Sequence, residues 1–198
     1  NQAGGTGVQQ TQDMTSIVSD IIVNTNTETG SKMIEELNNS STDTENDLSL
    51  QVISAISVKD TTKLNTLSEN NKEQIDTLTQ SAVKNAGSSQ ESADLIAQVV
   101  ANASDDFANQ IIGEVTKNSI DENQALSAKV MKSIVETTPD KVENLSDENK
   151  DKLISQTIEA AKNQAEGTSS DELDLSNTIA EIVTNSDTGT AAKVLESL

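Results

Sequence analysis

The 198-residue sequence contains no cysteine, histidine, arginine, tryptophan or tyrosine, and it has one phenylalanine, Phe107, and one proline, Pro139. Without cysteine there is no disulfide and no thiolate, although this does not assign a compartment. Without histidine or arginine, nucleophilic and acid–base chemistry is left to carboxylates, lysines and hydroxyls. All 13 basic residues are lysine, set against 33 Asp and Glu, for a net charge of −20. The acids are spread along the chain. A basic footprint for nucleic acid is therefore excluded, because lysine and arginine must neutralise phosphates. An anionic membrane surface is disfavoured for the same reason. No run of 18 apolar residues occurs, so membrane insertion is not expected. No signal peptide is visible. Apolar residues make up 33% of the chain, below a globular average. With this charge, disorder is the rival to a folded core.

What the chain does have is a repeat. At an offset of 78, Leu48, Ser49, Val52, Ile56, Lys63, Leu67, Ser68, Asn71 and Lys72 fall on Leu126, Ser127, Val130, Ile134, Lys141, Leu145, Ser146, Asn149 and Lys150. Asn24, Met33, Ile34 and Leu37 likewise fall on Asn102, Ile111, Ile112 and Val115. A third opening follows at an offset of 161, where Ile21, Asn24, Lys32 and Leu37 meet Ile182, Asn185, Lys193 and Leu198. The organisation expected is a flexible tail over 1–13, a first helical repeat over 14–91, a second over 92–171 and the start of a third over 172–198. The tail is Gly- and Gln-rich and has no apolar stripe. Because the chain begins at Asn1 and stops inside the third copy, it is expected to be a piece of a longer repeat protein.

Apolar spacing is helical almost throughout, which argues against disorder beyond the tail. Leu95, Ile96, Val99, Val100 and Ala103 share one helix face, as do Leu126, Val130, Met131, Ile134 and Val135. Thr138-Pro139, Ser146-Asp147-Glu148, Ser68-Glu69-Asn70 and Ser104-Asp105-Asp106 read as helix starts, with a capping hydroxyl and, in the last three, acids in the first turn. These signals predict helices near 14–23, 28–39, 46–57, 60–66 and 69–85, and again 78 residues later. Short helices cannot bury their apolar faces alone, but stacked in order they share a core. The aliphatic residues must build that core without aromatic help. The expected fold is all-α, an α-solenoid in which helical hairpins form a right-handed superhelix. The alternative is two small helical bundles in tandem, joined near Gly87-Ser88-Ser89 and Gly167-Thr168-Ser169-Ser170.

Two stretches carry a resemblance. They are Asp187-Thr188-Gly189-Thr190-Ala191-Ala192-Lys193-Val194-Leu195-Glu196-Ser197-Leu198 and Thr138-Pro139-Asp140-Lys141-Val142-Glu143-Asn144-Leu145, the second continuing through Ser146 to Ile154. Each places a turn with Pro or Asp before a capped amphipathic helix. This pattern resembles the helical repeats of the N-terminal domain of MgtE-type magnesium transporters and of the flagellar switch protein FliG. The resemblance implies a right-handed superhelical stack and acidic contacts with cations. The chain departs from those families in its Asn, Ser and Thr richness, its lack of Arg and its regular period. No functional residue is carried over.

Acid pairs such as Glu35 with Glu36 and Asp105 with Asp106 are explained by solvated helix starts, so an enzyme is not expected and neither is a cofactor. A sharper candidate is calcium. Side-chain oxygens at positions 1, 3 and 5 of the first turn (Asn24, Asn26 and Glu28), and at positions 1 and 3 of the third (Asn185 and Asp187, with Gly189 at position 5), resemble the start of an EF-hand loop, with Glu35 and Glu196 at position 12. Position 6 is Thr29 or Thr190, where that loop needs glycine. The competing reading is a helix–helix junction whose side chains cap the next helix. The function expected is a non-enzymatic structural or adhesive repeat module at a cell surface or in a secreted protein. Its expected partners are other copies of itself, adjacent repeats or another protein, with filament assembly through the apolar ends at Ile17, Leu195 and Leu198. The alternative is a cytoplasmic regulatory scaffold whose acidic helices are bridged by divalent cations.

Overall fold

The structure, a computed structural model, describes residues 7–40, 48–70, 72–85, 89–117, 123–165 and 175–198. Among these residues every regular element is an α-helix, and there is no strand. None of the helices is long and apolar enough to cross a membrane. The chain divides into two compact units, Asn1–Asn85 and Ala86–Leu198. The expected joints at 87–88 and 167–170 lie outside the described residues.

The first unit holds α1 (Gly7–Asn24), α2 (Thr27–Ser40), α3 (Leu48–Lys59), α4 (Thr61–Asn70) and α5 (Lys72–Asn85). α1 begins inside the stretch read as a tail, while residues 1–6 lie outside the described part. Val8 to Gln12 contain no breaker, and glutamine is a good helix former. Lack of an apolar stripe bears on packing more than on helicity. Helices α1 and α2 form a hairpin. α3 packs on α1, α4 and α5, and α2 packs on α4 and α5. Ile22, Ile34, Val52, Ile56, Leu64, Leu67 and Ile75 are fully buried between them. Each such side chain contributes about 1.5–3 kcal/mol relative to exposure. α3 is buried nearly all round, serines included, and Ser57 Oγ is satisfied by the Ser54 carbonyl at 2.7 Å.

The second unit holds α6 (Gln90–Asn102), α7 (Asp105–Lys117), α8 (Asn123–Thr137), α9 (Asp140–Glu143), α10 (Asp147–Ala165), α11 (Leu175–Asn185) and α12 (Thr188–Ser197). α8 is its axis. It packs against α6, α7, α10 and α11, and Leu126 to Met131 and Ser133 to Val135 are buried as a result. A helix enclosed on every side needs apolar or small residues all round. Ala128 meets Ala160 where α8 approaches α10, with Ala161 beside them. α11 then lies on α8, and α12 lies on α10 and α11.

Two helix starts are corrected. Thr138 does not cap α9: its Oγ1 is buried without a hydrogen-bond partner, and Pro139 stands at the N-cap position instead of the first helical one. Ser68 was expected to open the fifth helix, but α4 runs on to Asn70 and Ser68 Oγ bonds to the Asn65 carbonyl at 2.7 Å. Ser146, its counterpart 78 positions on, does cap α10, accepting from the Asn149 N–H at 3.3 Å.

Gly30 lies within α2, and a Cβ there would meet Leu67 Cδ2 at 3.5 Å and Ile22 Cγ2 at 3.6 Å, both ordinary contacts. The positions that align with it are Ala108 and Ala191. Gly30→Ala is therefore expected to stabilise the protein by about 0.5–1 kcal/mol, through helix propensity and a less flexible unfolded chain. Chemical denaturation measures it, and a lower midpoint would show that the contact is too close.

Candidate functional site

The three aligned turns are helix junctions. In the first, Asn26 Oδ1 accepts from the Thr29 N–H at 2.8 Å, and in the second Ser104 Oγ accepts from the Phe107 N–H at 3.4 Å. In the third, Asp187 Oδ1 accepts from the N–H groups of Gly189 at 2.7 Å and Thr190 at 3.1 Å. Each oxygen satisfies helix-start donors that have no partner within the helix. On the outgoing side, Asn24 Nδ2 donates to the Asp20 carbonyl at 2.8 Å and Asn102 Nδ2 to the Gln98 carbonyl at 3.0 Å.

A lysine closes each of the first two junctions. Lys63 Nζ donates to the Thr25 carbonyl at 2.6 Å, and Lys141 Nζ donates to the Ala103 carbonyl at 2.7 Å. Donors and acceptors are both 78 positions apart. Each ammonium reaches the carbonyl end of a helix, which carries partial negative charge. Lys141 also lies 3.2 Å from Asp105 Oδ1. Lys59 adds a further tie, to Ser19 Oγ at 2.9 Å and Asp20 Oδ1 at 2.8 Å.

The second unit carries an asparagine clasp at this level. Asn109 Oδ1 accepts from the Ser146 N–H at 2.6 Å and from Asn149 Nδ2 at 3.1 Å. Its carbonyl accepts from the same Asn149 amide at 2.7 Å. This pins the turn between α9 and α10. The residue at the matching position of α2 is Ser31, whose short hydroxyl bonds to its own Thr27 carbonyl at 2.6 Å. The missing reach explains why α4 continues where α9 stops.

Of the calcium candidates, Asn26 and Asp187 thus spend a side-chain oxygen on caps. Glu28 pairs with Lys32 at 2.8 Å, Asn24 uses its amide as a donor, and Asn185 and Glu196 are exposed. Among the described residues, no three His, Cys, Asp or Glu side chains gather as a metal-binding group. The Lys32 ammonium holds the Glu28 carboxyl below its ordinary range, by hydrogen bond first and by charge second.

Asp187 is held low as well, chiefly by the Thr190 hydroxyl and then by the Thr190 and Gly189 N–H groups and the Lys150 charge, against the opposing effect of burial. Asp187 Oδ2 and Thr190 Oγ1 are both buried with no other bond, and rotation of the hydroxyl toward the carboxylate satisfies the two together. A depressed carboxylate contributes stability that is present above its ordinary value of 3.8 and is lost as pH falls through the lower folded value. Asp187→Ala is expected to cost about 1 kcal/mol at neutral pH, whereas Asp187→Asn keeps the cap. The asparagine variant should also flatten the acid limb of a stability–pH curve. An unchanged limb would assign that acid sensitivity to other carboxylates.

The remaining feature is apolar and exposed. Met14, Ile17 and Ile21 form a stripe on α1, and Leu195 and Leu198 form another on α12 and just after it. At the positions aligned with Ile21, Val99 and Ile182 are buried. Ile17, Leu195 and Leu198 were legible from their place in the pattern, whereas the exposure of Met14 and Ile21 was not. The lysine ties were not foreseen either, although Lys63 and Lys141 stand at the same spacing from their two turns.

The chain matches no protein-family model, no curated protein and no solved structure. The likeness of 138–154 and 187–198 to transporter and motor repeats therefore rests on those residues alone.

Proposed function

We propose that this chain is a non-enzymatic structural or adhesive module. It forms one stretch of an acidic α-solenoid, a right-handed superhelix built from a 78-residue unit, in a surface or secreted protein. The observation that carries this reading is the contrast between exposed and buried members of aligned positions. Ile21 is 41% exposed where Val99 and Ile182 are at 1% and 0%. An apolar position that is covered in two copies and bare in the third marks a stacking surface. The recurring lysine ties support the same view, since they hold each hairpin to the next without reference to a ligand. The high negative charge keeps the rest of the surface soluble and limits association to those stripes.

The module is proposed to self-assemble through its apolar ends. Because the two stripes differ, contact between them is heterologous and propagates into a filament. Size-exclusion chromatography with light scattering, followed by negative-stain microscopy, tests this. Oligomers that grow with concentration are expected, and Ile17→Asp or Leu198→Asp should return them to monomers. A monomer at every concentration would overturn the self-assembly.

A further inference from the structure

We propose that the exposed face of α12 is a docking site for a two-helix hairpin of the α8–α10 kind. The inference rests on the repeat-module reading and adds what fills the face. Leu195 and Leu198 are 57% and 61% exposed. They align with Ile34 and Leu37 on α2, and with Ile112 and Val115 on α7. All four of those residues are buried. α2 lies against α4 and α5, the helices that follow it, and α7 lies against α8 and α10, which follow it in turn. α12 lies against α11 and the preceding α10, and its buried side chains are Thr190 and Val194. Wherever this face is covered in the molecule, the cover is therefore the hairpin next in sequence.

The chemistry of the occupant follows. It is a pair of amphipathic helices that, like α10, bury Leu, Ile and Thr (Leu153, Ile154, Thr157 and Ile158) and offer polar groups to the facing helix, as Gln156 Nε2 does to the Thr116 carbonyl at 2.8 Å. Ala192 stands on α12 where α7 has Asn109 and α2 has Ser31. Ser31 donates to the Thr27 carbonyl of its own helix, and α5 packs on α2 all the same. Docking is thus carried by the two leucines and the groove beside them.

The test extends the intact chain. Residues 116–165 are appended directly after Leu198, because Leu198 aligns with Val115 and the register is then continuous. Amide exchange across α12 is expected to slow by about tenfold or more once the face is covered. The pair Leu195→Asp and Leu198→Asp should lower the thermal midpoint of the extended chain by roughly 5 °C or more, and should barely move that of the original. Equal exchange rates in the two chains, with equal effects of the aspartates, would overturn the proposal. Protection of α12 in the original chain that rises with its concentration is the end-to-end contact of the self-assembling module, and covering the face in the extended chain should abolish that rise; a rise that persists in the extended chain would overturn the proposal. A monomeric original chain whose α12 is still slowed by the extension sinks the self-assembly alone, so the two readings fail separately.

Discussion

Phe107→Ala is expected to destabilise the protein by about 3–5 kcal/mol, more than any other single truncation of its core. Phe107 is the largest of the fully buried side chains and the sole aromatic. It sits in the first turn of α7, and its N–H is the donor that Ser104 caps. Truncation therefore leaves a cavity beside the junction between α6 and α7. A close-packed interior relaxes only in part around such a void. The aligned residue on α2, Thr29, is exposed, so Thr29→Ala should stay within about 0.5 kcal/mol. Denaturant unfolding of the two variants makes the comparison. A loss under about 1 kcal/mol for Phe107→Ala would mean that the α6–α7 junction collapses around the gap.

The helices were legible because their signals are local. Ser104, Asp187 and Pro139 mark starts that depend only on the next few residues, and apolar spacing marks the faces. The start at Ser68 was misread because its outcome is tertiary. Ser68 and Ser146 carry the same local signal, and what separates them is whether residue 31 or 109 can reach across from another helix. Serine cannot and asparagine can. The enclosure of α8 is of the same kind. Buried Ser127, Lys129 and Ser133 look in sequence like solvent-facing residues, and only the arrival of α6, α10 and α11 around α8 encloses them, with Ser133 bonded to Asp94 on α6 and Ser127 to Gln156 on α10. The exposed stripes on α1 and α12 were legible as positions in a pattern. Their exposure was not, because a sequence shows which residues can pack and does not show which of them have a neighbour.

Lys63→Met and Lys141→Met are expected to cost about 1.5–3 kcal/mol each, the range for a charged hydrogen bond whose loss strands a partner. The methionine retains the aliphatic stem and removes only the ammonium, so the packing of α4 and α9 is kept. Thr25 and Ala103 then present helix-end carbonyls with no donor beside them. The two variants should agree closely, because donor, acceptor and spacing are the same in both. Lys141 carries an additional pairing with Asp105, but that carboxylate is exposed and contributes little. Lys63→Arg and Lys141→Arg should recover only part of the loss, since a planar guanidinium does not place a donor where a compact ammonium does. If the lysines merely decorate the surface, each methionine variant would lie within about 0.5 kcal/mol of the parent. The size of the effect bears on function through the junction geometry. The turn between α1 and α2, like that between α6 and α7, sets the angle between its two helices, and a tie of this strength fixes that angle in both junctions.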